Sequence, residues 1–336
     1  MKIADVGEHK LLQVIYKYCP KDVVGDDAAI LAPMSDSSLV VTTDLLVDKV
    51  HFSEITTSPF DVGWRGAAAN LSDIAAMGAS PLGITVGLGL PSDVDISWVD
   101  NLYQGMTACL QTHNNTPIVG GDLVRSRVIF LAITAFGQVC PTRIIRRNCA
   151  RVGDAIIVTG QHGASRGGLE LLLNPEIGSC ISYDDQQALI NSHLRPKPRL
   201  DVIEHLWEVL SSESLLSVAG MDSSDGLADT IQQICHHSGV GAVIEIQNIT
   251  FPSVFHQWLS KDKIWEYVFY GGEDFQLVLC LAPKAAQQLV EKLNQDAAII
   301  GKITEGTKII LQDIQSPGKH PDLVLSRDRG FQHFAN

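Results

Sequence analysis

From Ala67 to Ala79 the residues are mostly small and apolar, yet the stretch Asn70-Leu71-Ser72-Asp73-Ile74-Ala75-Ala76-Met77-Gly78-Ala79 carries one carboxylate, Asp73. Such a segment can pack closely on every side, so it reads as the C-terminal half of a buried helix. An ionised carboxylate there must be hydrogen-bonded, near water, protonated or holding a cation, because leaving it buried and uncompensated is costly. No neighbouring Lys or Arg neutralises it. The alternative is a frayed helix end that leaves Asp73 in solvent. The same kind of Asp, set among Gly, Ser, Thr and Ala, recurs at Asp26 and Asp27, at Asp44, at Asp122, and at Asp222 and Asp225.

A chain of 336 residues can form two domains, each with its own core. The formal net charge of −13 argues against a nucleic-acid surface, which needs a basic face. An acidic chain that handles phosphates has to recruit cations. The start, Met1-Lys2-Ile3-Ala4-Asp5-Val6-Gly7-Glu8, lacks an apolar core of signal-peptide length, and about 18 apolar residues never run together, so we expect no membrane span and a cytoplasmic protein. Seven scattered cysteines without a Cys-x-x-Cys pair fit a reducing compartment. Cys235-His236-His237 is the one metal-like cluster, but it falls on an expected helix, where adjacent side chains point apart.

In order, the pattern predicts a helix over 8–17 and a strand over 38–43 ending in Thr42-Thr43-Asp44. A long helix closes at Gly78, with Pro81 beyond it. A strand over 84–90 and a helix over 97–113 follow, then a short strand entering a glycine turn at Gly120-Gly121-Asp122, and a strand over 128–139. The basic stretch Arg143, Arg146, Arg147, Arg151 separates two apolar runs and marks the candidate domain boundary. Beyond it, strands are expected near 155–159, 217–220, 242–246, 275–281, 298–303 and 308–314, with helices ending near Leu173, over 184–193 and 198–210, ending near Ser238, and over 283–293.

There is no G-x-x-x-x-G-K-[ST], and no G-x-G-x-x-G after a strand, so neither usual nucleotide cradle is present. The acidic motifs offer another route. Gly25-Asp26-Asp27, Thr43-Asp44, Asn70-Leu71-Ser72-Asp73, Gly120-Gly121-Asp122 and Asp222-Ser223-Ser224-Asp225-Gly226 each set a carboxylate at a turn or element end. Glycines let backbone approach a ligand, hydroxyls add oxygen donors, and hard oxygens suit Mg²⁺ shared with substrate phosphates. Taken singly, each Asp also reads as an N-cap or turn residue.

Together with Thr42-Thr43-Asp44, Val50-His51-Phe52, His193-Leu194-Arg195-Pro196, Gly271-Gly272-Glu273-Asp274 and Gly330-Phe331-Gln332-His333-Phe334, and with Ala28-Ala29 and Leu227 extending two of them, these motifs resemble, in order along nearly the whole chain, the thiamine-monophosphate kinase family. The resemblance implies an α/β (α+β) two-domain fold of the aminoimidazole ribonucleotide synthetase type. Residues 1–148 would form an N-terminal ATP- and Mg-binding domain whose mixed sheet, with helices, pairs in a homodimer. Residues 149–336 would form a C-terminal α/β domain completing the active site. It implies ATP-dependent phosphorylation of thiamine monophosphate to thiamine diphosphate, the last step in making that cofactor, with small-molecule partners and no nucleic acid or membrane. Asp27, Thr42, Thr43, Asp44, Asp73, Asp122, Asp222 and Asp225 are the implied magnesium ligands, with Asp44, Asp73 and Asp122 as the catalytic set. Gly121, Asp122, Arg147 and Ser224 match ATP contacts, and His51, Glu273 and Phe331 match contacts to thiamine phosphate. Arg146-Arg147-Asn148-Cys149 departs from the family's usual Arg-Ser-Gly, so Arg146 is an alternative to Arg147.

The acceptor oxygen of a phosphate is already anionic near neutral pH, so direct in-line transfer needs no covalent nucleophile, only charge neutralisation and alignment. His51 is the nearby candidate for a proton role, or it positions substrate. Phe331 either stacks on the thiamine ring or packs on the core, and Glu273 either meets the cationic ligand or caps a strand. Rival readings are another chemistry of the same superfamily, such as selenophosphate synthesis, and a nucleotide-binding regulator without turnover. The first wants a reactive Cys in a glycine-rich N-terminal stretch, whereas Cys19 stands in Tyr18-Cys19-Pro20; the second wants a lost carboxylate, and none is lost.

Overall fold

A computed structural model describes residues 2–20, 31–212, 218–294, 296–313 and 325. It divides into two compact units, one of Met1–Ile74 with Ala79–Pro141, the other of Ala75–Gly78 with Thr142–Asn336. The first contains α1 (Ile3–Tyr16), β1 (Ser38–Val47), α2 (Pro59–Ala76, its last residues falling in the second unit), β2 (Ser80–Leu90), α3 (Ile96–Thr112), β3 (Ile118–Arg125) and β4 (Phe130–Val139).

The four strands of the first unit form a mixed sheet in the order β1-β4-β2-β3, with β4 antiparallel to β1 and β2, and β2 parallel to β3. Burial alternates strictly along β4, so Leu131, Ile133 and Ala135 turn inward beneath α2, whose Ala67, Ala68, Leu71 and Ile74 are fully buried. The small residues of α2 permit this contact, and truncating Ile74 or Leu131 to Ala would cost about 2–5 kcal/mol. α2 also crosses α3 at backbone contact. A Cβ on Gly63 would lie 1.9 Å from the Leu102 carbonyl oxygen, and one on Gly105 would lie 1.8 Å from that of Phe60. The helix stops as expected, with Gly78 at φ +73° and with the Gly78 and Ala79 amides donating back to the Ala75 and Ile74 carbonyls. On β1, Leu39, Val41 and Leu45 alternate outward and are more than half exposed.

Two expectations change here. β1 runs three residues past Asp44, because Leu45, Leu46 and Val47 keep pairing with Ala132, Leu131 and Phe130, so Thr42-Thr43-Asp44 lies inside the strand. Gly120-Gly121 is not a turn but the middle of β3, in register with Thr85 and Val86. A Cβ on Gly121 would meet the Val86 carbonyl oxygen at 2.1 Å, so close strand approach, not chain reversal, demands glycine.

In the second unit, β5 (Ala155–Thr159), α4 (Ala164–Leu173), α5 (Tyr183–Leu194), α6 (Leu200–Val209), β6 (Ala219–Asp222), α7 (Leu227–Ser238) and β7 (Gly241–Glu245) are followed by α8 (Phe255–Trp258), α9 (Lys261–Tyr270), β8 (Leu277–Leu281), α10 (Pro283–Lys292), β9 (Ala297–Thr304) and β10 (Ile309–Gln312). The strands form one mixed sheet in the order β10-β7-β9-β5-β8-β6. β10 and β7 are parallel, and the other neighbours are antiparallel. β5 and β8 are buried at every position, because residues of α4, α7 and α9 share a core with Ile156, Val158, Val278 and Cys280, while α10 packs on β5, β8 and β9 and against α6. Sequence reading missed α9, although its signals are present. The Ser260 hydroxyl caps it by accepting from the Lys263 amide, and Ile264, Tyr267 and Val268 recur at helical spacing on its buried face.

Both units are thus mixed sheets with helices, the α/β architecture expected from the sequence. Among the described residues, no helix is long and apolar enough to cross a membrane.

Candidate functional site

In the first unit the acidic motifs ride on regular elements. Thr42, Asp44 and Leu46 share the inward face of β1, as the burial pattern of the strand requires. Thr42 Oγ1 donates to Asp73 Oδ2 on α2, which answers the question Asp73 raised: its carboxylate is half-buried and hydrogen-bonded. Asp44, two residues along the same face, sits about 7 Å further up the strand from Thr42. Thr43 points the other way, and its hydroxyl bonds that of Thr134 at 2.8 Å on the outward face. By the strand's period of two, the Thr43 side chain lies on the face opposite that of Thr42. Asp122 lies exposed on β3, in register with Gly87, and its Oδ1 accepts the Leu123 amide at 2.9 Å. His51 sits in the turn after β1, where Nδ1 accepts the Val47 amide at 3.1 Å, so a neutral ring carries its proton on Nε2.

The second unit places its acidic motifs on loops that brace each other. Asp222 ends β6 and is buried, with Oδ1 accepting from Ser224 Oγ at 3.2 Å, while Asp225 is exposed. The Glu273 amide donates to the Ser224 carbonyl at 2.7 Å. The Ser223 amide donates to the Gln276 carbonyl at 2.7 Å, and the Gln276 amide donates to Ser223 Oγ at 3.2 Å. Glu273 is half-buried and left-handed at φ +57°. Arg147 Nη1 donates to Gln233 Oε1 on α7 at 2.8 Å, and Gln233 in turn donates to Asp229. Arg146, the alternative, is also exposed, but its main chain is paired to Val218 and Gly220 beside β6.

Asp274, quoted in the motif but given no role by the sequence, is the residue that caps, and it caps a helix rather than a strand. Its Oδ2 accepts the Gly163 amide at 2.7 Å and its Oδ1 accepts the Ser165 amide at 2.9 Å, at the start of α4. The available signal was an absence, because Gly163 at the N-cap brings no side chain of its own. Burial pushes the Asp274 carboxyl up to about 7, and the neighbouring Glu273 charge adds to the push, while the backbone amides of Ser165, Gly163 and Ala164 pull it down. Arg199, fully buried, ties Asp201, Asp296 and Gln276 together and was also missed.

Asp27 and Phe331 lie outside the described residues. Among the described residues no three His, Cys, Asp or Glu side chains close into a metal cluster, and Cys235 is buried while His236 and His237 are exposed, so that trio does not converge. The oxygen donors on β1 and α2 nevertheless suit magnesium, which takes one or two carboxylates and completes its shell with water and substrate phosphate.

Residues 25–139 match the AIR synthase related protein N-terminal domain, and residues 151–314 match the corresponding C-terminal domain. The chain is 49% identical over 332 residues to the thiamine-monophosphate kinase of Synechococcus elongatus, covering 99% of this chain and 98% of that protein. The crystal structure of the Stenotrophomonas maltophilia thiamine-monophosphate kinase superposes with a TM-score of 0.76 at 31% identity, covering 90% of this chain and 95% of that one. AaThiL complexed with AMPPCP and TMP superposes with a TM-score of 0.70 at 30% identity, covering 94% and 97%. With both domain models matched in order and kinship running end to end, the chain belongs to the thiamine-monophosphate kinase family of AIR synthase related enzymes.

Proposed function

We propose that the chain transfers the terminal phosphoryl group of ATP to the phosphate of thiamine monophosphate by direct in-line displacement, giving thiamine diphosphate in the last step of its biosynthesis. The observation that carries this reading is the 49% identity to a thiamine-monophosphate kinase across 99% of the chain. The complex of AaThiL with AMPPCP, an ATP analogue, and TMP supports it.

The acceptor phosphate brings its own nucleophilic oxygen, so the chain's task is to hold two polyanions together despite its own charge of −13. Magnesium, when bound, supplies the counter-charge. Asp27, Thr42, Thr43, Asp44, Asp73, Asp122, Asp222 and Asp225 would hold it, Thr43 through its main chain, and Asp44, Asp73 and Asp122 would be the catalytic set. The Thr42 hydrogen bond supports such a role for Asp73, since it fixes one carboxylate oxygen. Gly121, with no side chain, allows main-chain approach beside Asp122, and these two with Arg147 and Ser224 would hold ATP. Arg147 is favoured over Arg146 because Gln233 orients its guanidinium. His51 would position thiamine monophosphate, its ring being held by the Val47 amide at Nδ1. Glu273 and Phe331 would complete that contact.

We assign dimerisation and most ATP and magnesium contacts to residues 1–148, and to residues 149–336 the contacts that complete the active site, Asp222, Ser224 and Asp225 among them. The protein is read as a cytoplasmic homodimer, the outward apolar row of β1 supporting the pairing. The test is direct: purified chain with ATP, Mg²⁺ and thiamine monophosphate should form thiamine diphosphate and ADP in equal amounts. ATP consumption without thiamine diphosphate, or no turnover at all, would overturn the reading.

A further inference from the structure

Arg199, between α5 and α6, is 1% exposed, and its charge is met by Asp201, 3.1 Å from Nε, and by Asp296, 2.7 Å from Nη2. Its remaining nitrogen, Nη1, donates to Gln276 Oε1 at 2.8 Å. The same oxygen accepts from Thr159 Oγ1 at 2.9 Å, and Thr159, at the end of β5, accepts in turn from the Leu277 amide at 2.9 Å. Both lone pairs of the Gln276 oxygen are thus taken. Gln276 Nε2 donates to the Asp274 carbonyl at 3.2 Å, so the side chain is fixed at both of its polar atoms. A Cβ on Gly160 would lie 2.3 Å from Gln276 Oε1, so glycine there leaves the amide its room. The main chain of Gln276 fastens the loop after β6, its carbonyl accepting the Ser223 amide at 2.7 Å and its amide donating to Ser223 Oγ at 3.2 Å. The segment just before it is strained. Glu273 at φ +57° and Phe275 at φ +50° are left-handed, which non-glycine residues sustain only where their surroundings over-determine them.

We propose that Arg199 is a positioning residue which, acting through Gln276, sets the Ser223-Ser224 loop for the nucleotide and its magnesium. A glutamine side chain has three rotatable bonds, and unless its oxygen is held, both Ser223 bonds are made to a segment free to relax toward ordinary φ values. Ser223 stands between Asp222 and Ser224, so its displacement moves a magnesium ligand and an ATP contact of the proposed function together. Glu273 is less affected, because Asp274 keeps its own anchor on α4 through the Gly163 and Ser165 amides. The inference rests on the reading that Asp222 and Ser224 face magnesium and ATP.

The test measures, on the full chain, the Kd of AMPPCP with Mg²⁺ by calorimetry and the thiamine monophosphate KM by steady-state kinetics, with thermal midpoints to confirm that each variant is folded. The Kd needs no turnover, so it decides. Gln276→Met, which keeps the length and removes the accepting oxygen, should raise the nucleotide Kd about tenfold and leave the thiamine monophosphate KM within about twofold. Arg199→Met should do the same, and the double variant should be no worse than the more affected single one, because both act along one chain of bonds. Gln276→Glu still accepts from Arg199 Nη1 and Thr159 Oγ1 and should retain most of the affinity. A purely structural role would lower the midpoint and leave the Kd of the folded protein unchanged, or would raise Kd and KM alike; either result overturns the inference. So does a loss of about tenfold in Gln276→Glu, or a full multiplication of effects in the double variant. Should Gln276→Met or Arg199→Met fail to fold, Thr159→Val carries the comparison, with about a threefold rise expected in the nucleotide Kd, and no rise there overturns the inference. Asp222→Asn tests the underlying reading separately. It should raise the same Kd at least about tenfold, and if it does not, the loop does not face the nucleotide and the inference falls with it.

Discussion

The two units carry acidic motifs of similar composition but hold them differently. In the first, Asp44 and Asp122 sit on strands and Asp73 on a helix, so regular backbone places them, and one side-chain bond from Thr42 adjusts Asp73. In the second, Asp225, Glu273 and Asp274 lie on loops after β6 and before β8, and Ser223, Ser224 and Gln276 tie those loops together through the main chain. Where a sheet and a helix already fix the backbone, a carboxylate can be altered with little effect on folding. On a braced loop, the acids are themselves part of the brace.

The sharpest way to break this contrast is to compare Asp73 with Asp274. Asp73→Asn should cut turnover by at least ~10²-fold while thermal melting stays nearly unchanged, as expected for loss of a metal-holding carboxylate from an intact helix. Normal turnover would remove Asp73 from the metal set. Asp274→Asn should instead destabilise the protein by about 2 kcal/mol, because an amide turned toward the Gly163 and Ser165 donors loses an N-terminal cap. Denaturant melts would measure it, and an unchanged midpoint would count against the brace.

Asp274 also gives a pH signature. With its carboxyl raised to about 7 by burial, the folded chain keeps a proton that the unfolded chain has released above about pH 4. The stabilisation from this group is therefore complete below about pH 4 and is lost as pH rises through about 7. Asp274→Asn should flatten that part of the stability profile, as urea melts between pH 4 and 8 would reveal. The smallest expected effect separates two neighbours. Thr42→Val should slow turnover about tenfold by releasing Asp73, whereas Thr43→Val should leave it within about twofold, since its hydroxyl bonds Thr134 on the far face. Equal effects would mean that the strand's alternation does not sort their roles.

What the sequence made legible follows from periodicity and punctuation. The helix around Asp73 was readable because small residues and a terminal glycine leave few other options, and β5 and β8 because short apolar runs suit strands covered on both faces. The turn expected at Gly120-Gly121 was misread because glycine marks close approach as well as reversal, and only the position of Val86 separates the two. The cap from Asp274 spans 109 residues of chain, as the pairing of Ser165 with Asp274 makes plain, and no local pattern encodes it. Here resemblance to a family supplied the motif and the structure supplied the partner.

The hydrogen bond from the Glu273 amide to the Ser224 carbonyl has a further consequence. Segments joined through their amides open together, so deuterium should enter both loops at one common rate rather than two. A ligand gripped by either loop would therefore be expected to slow exchange in the other as well.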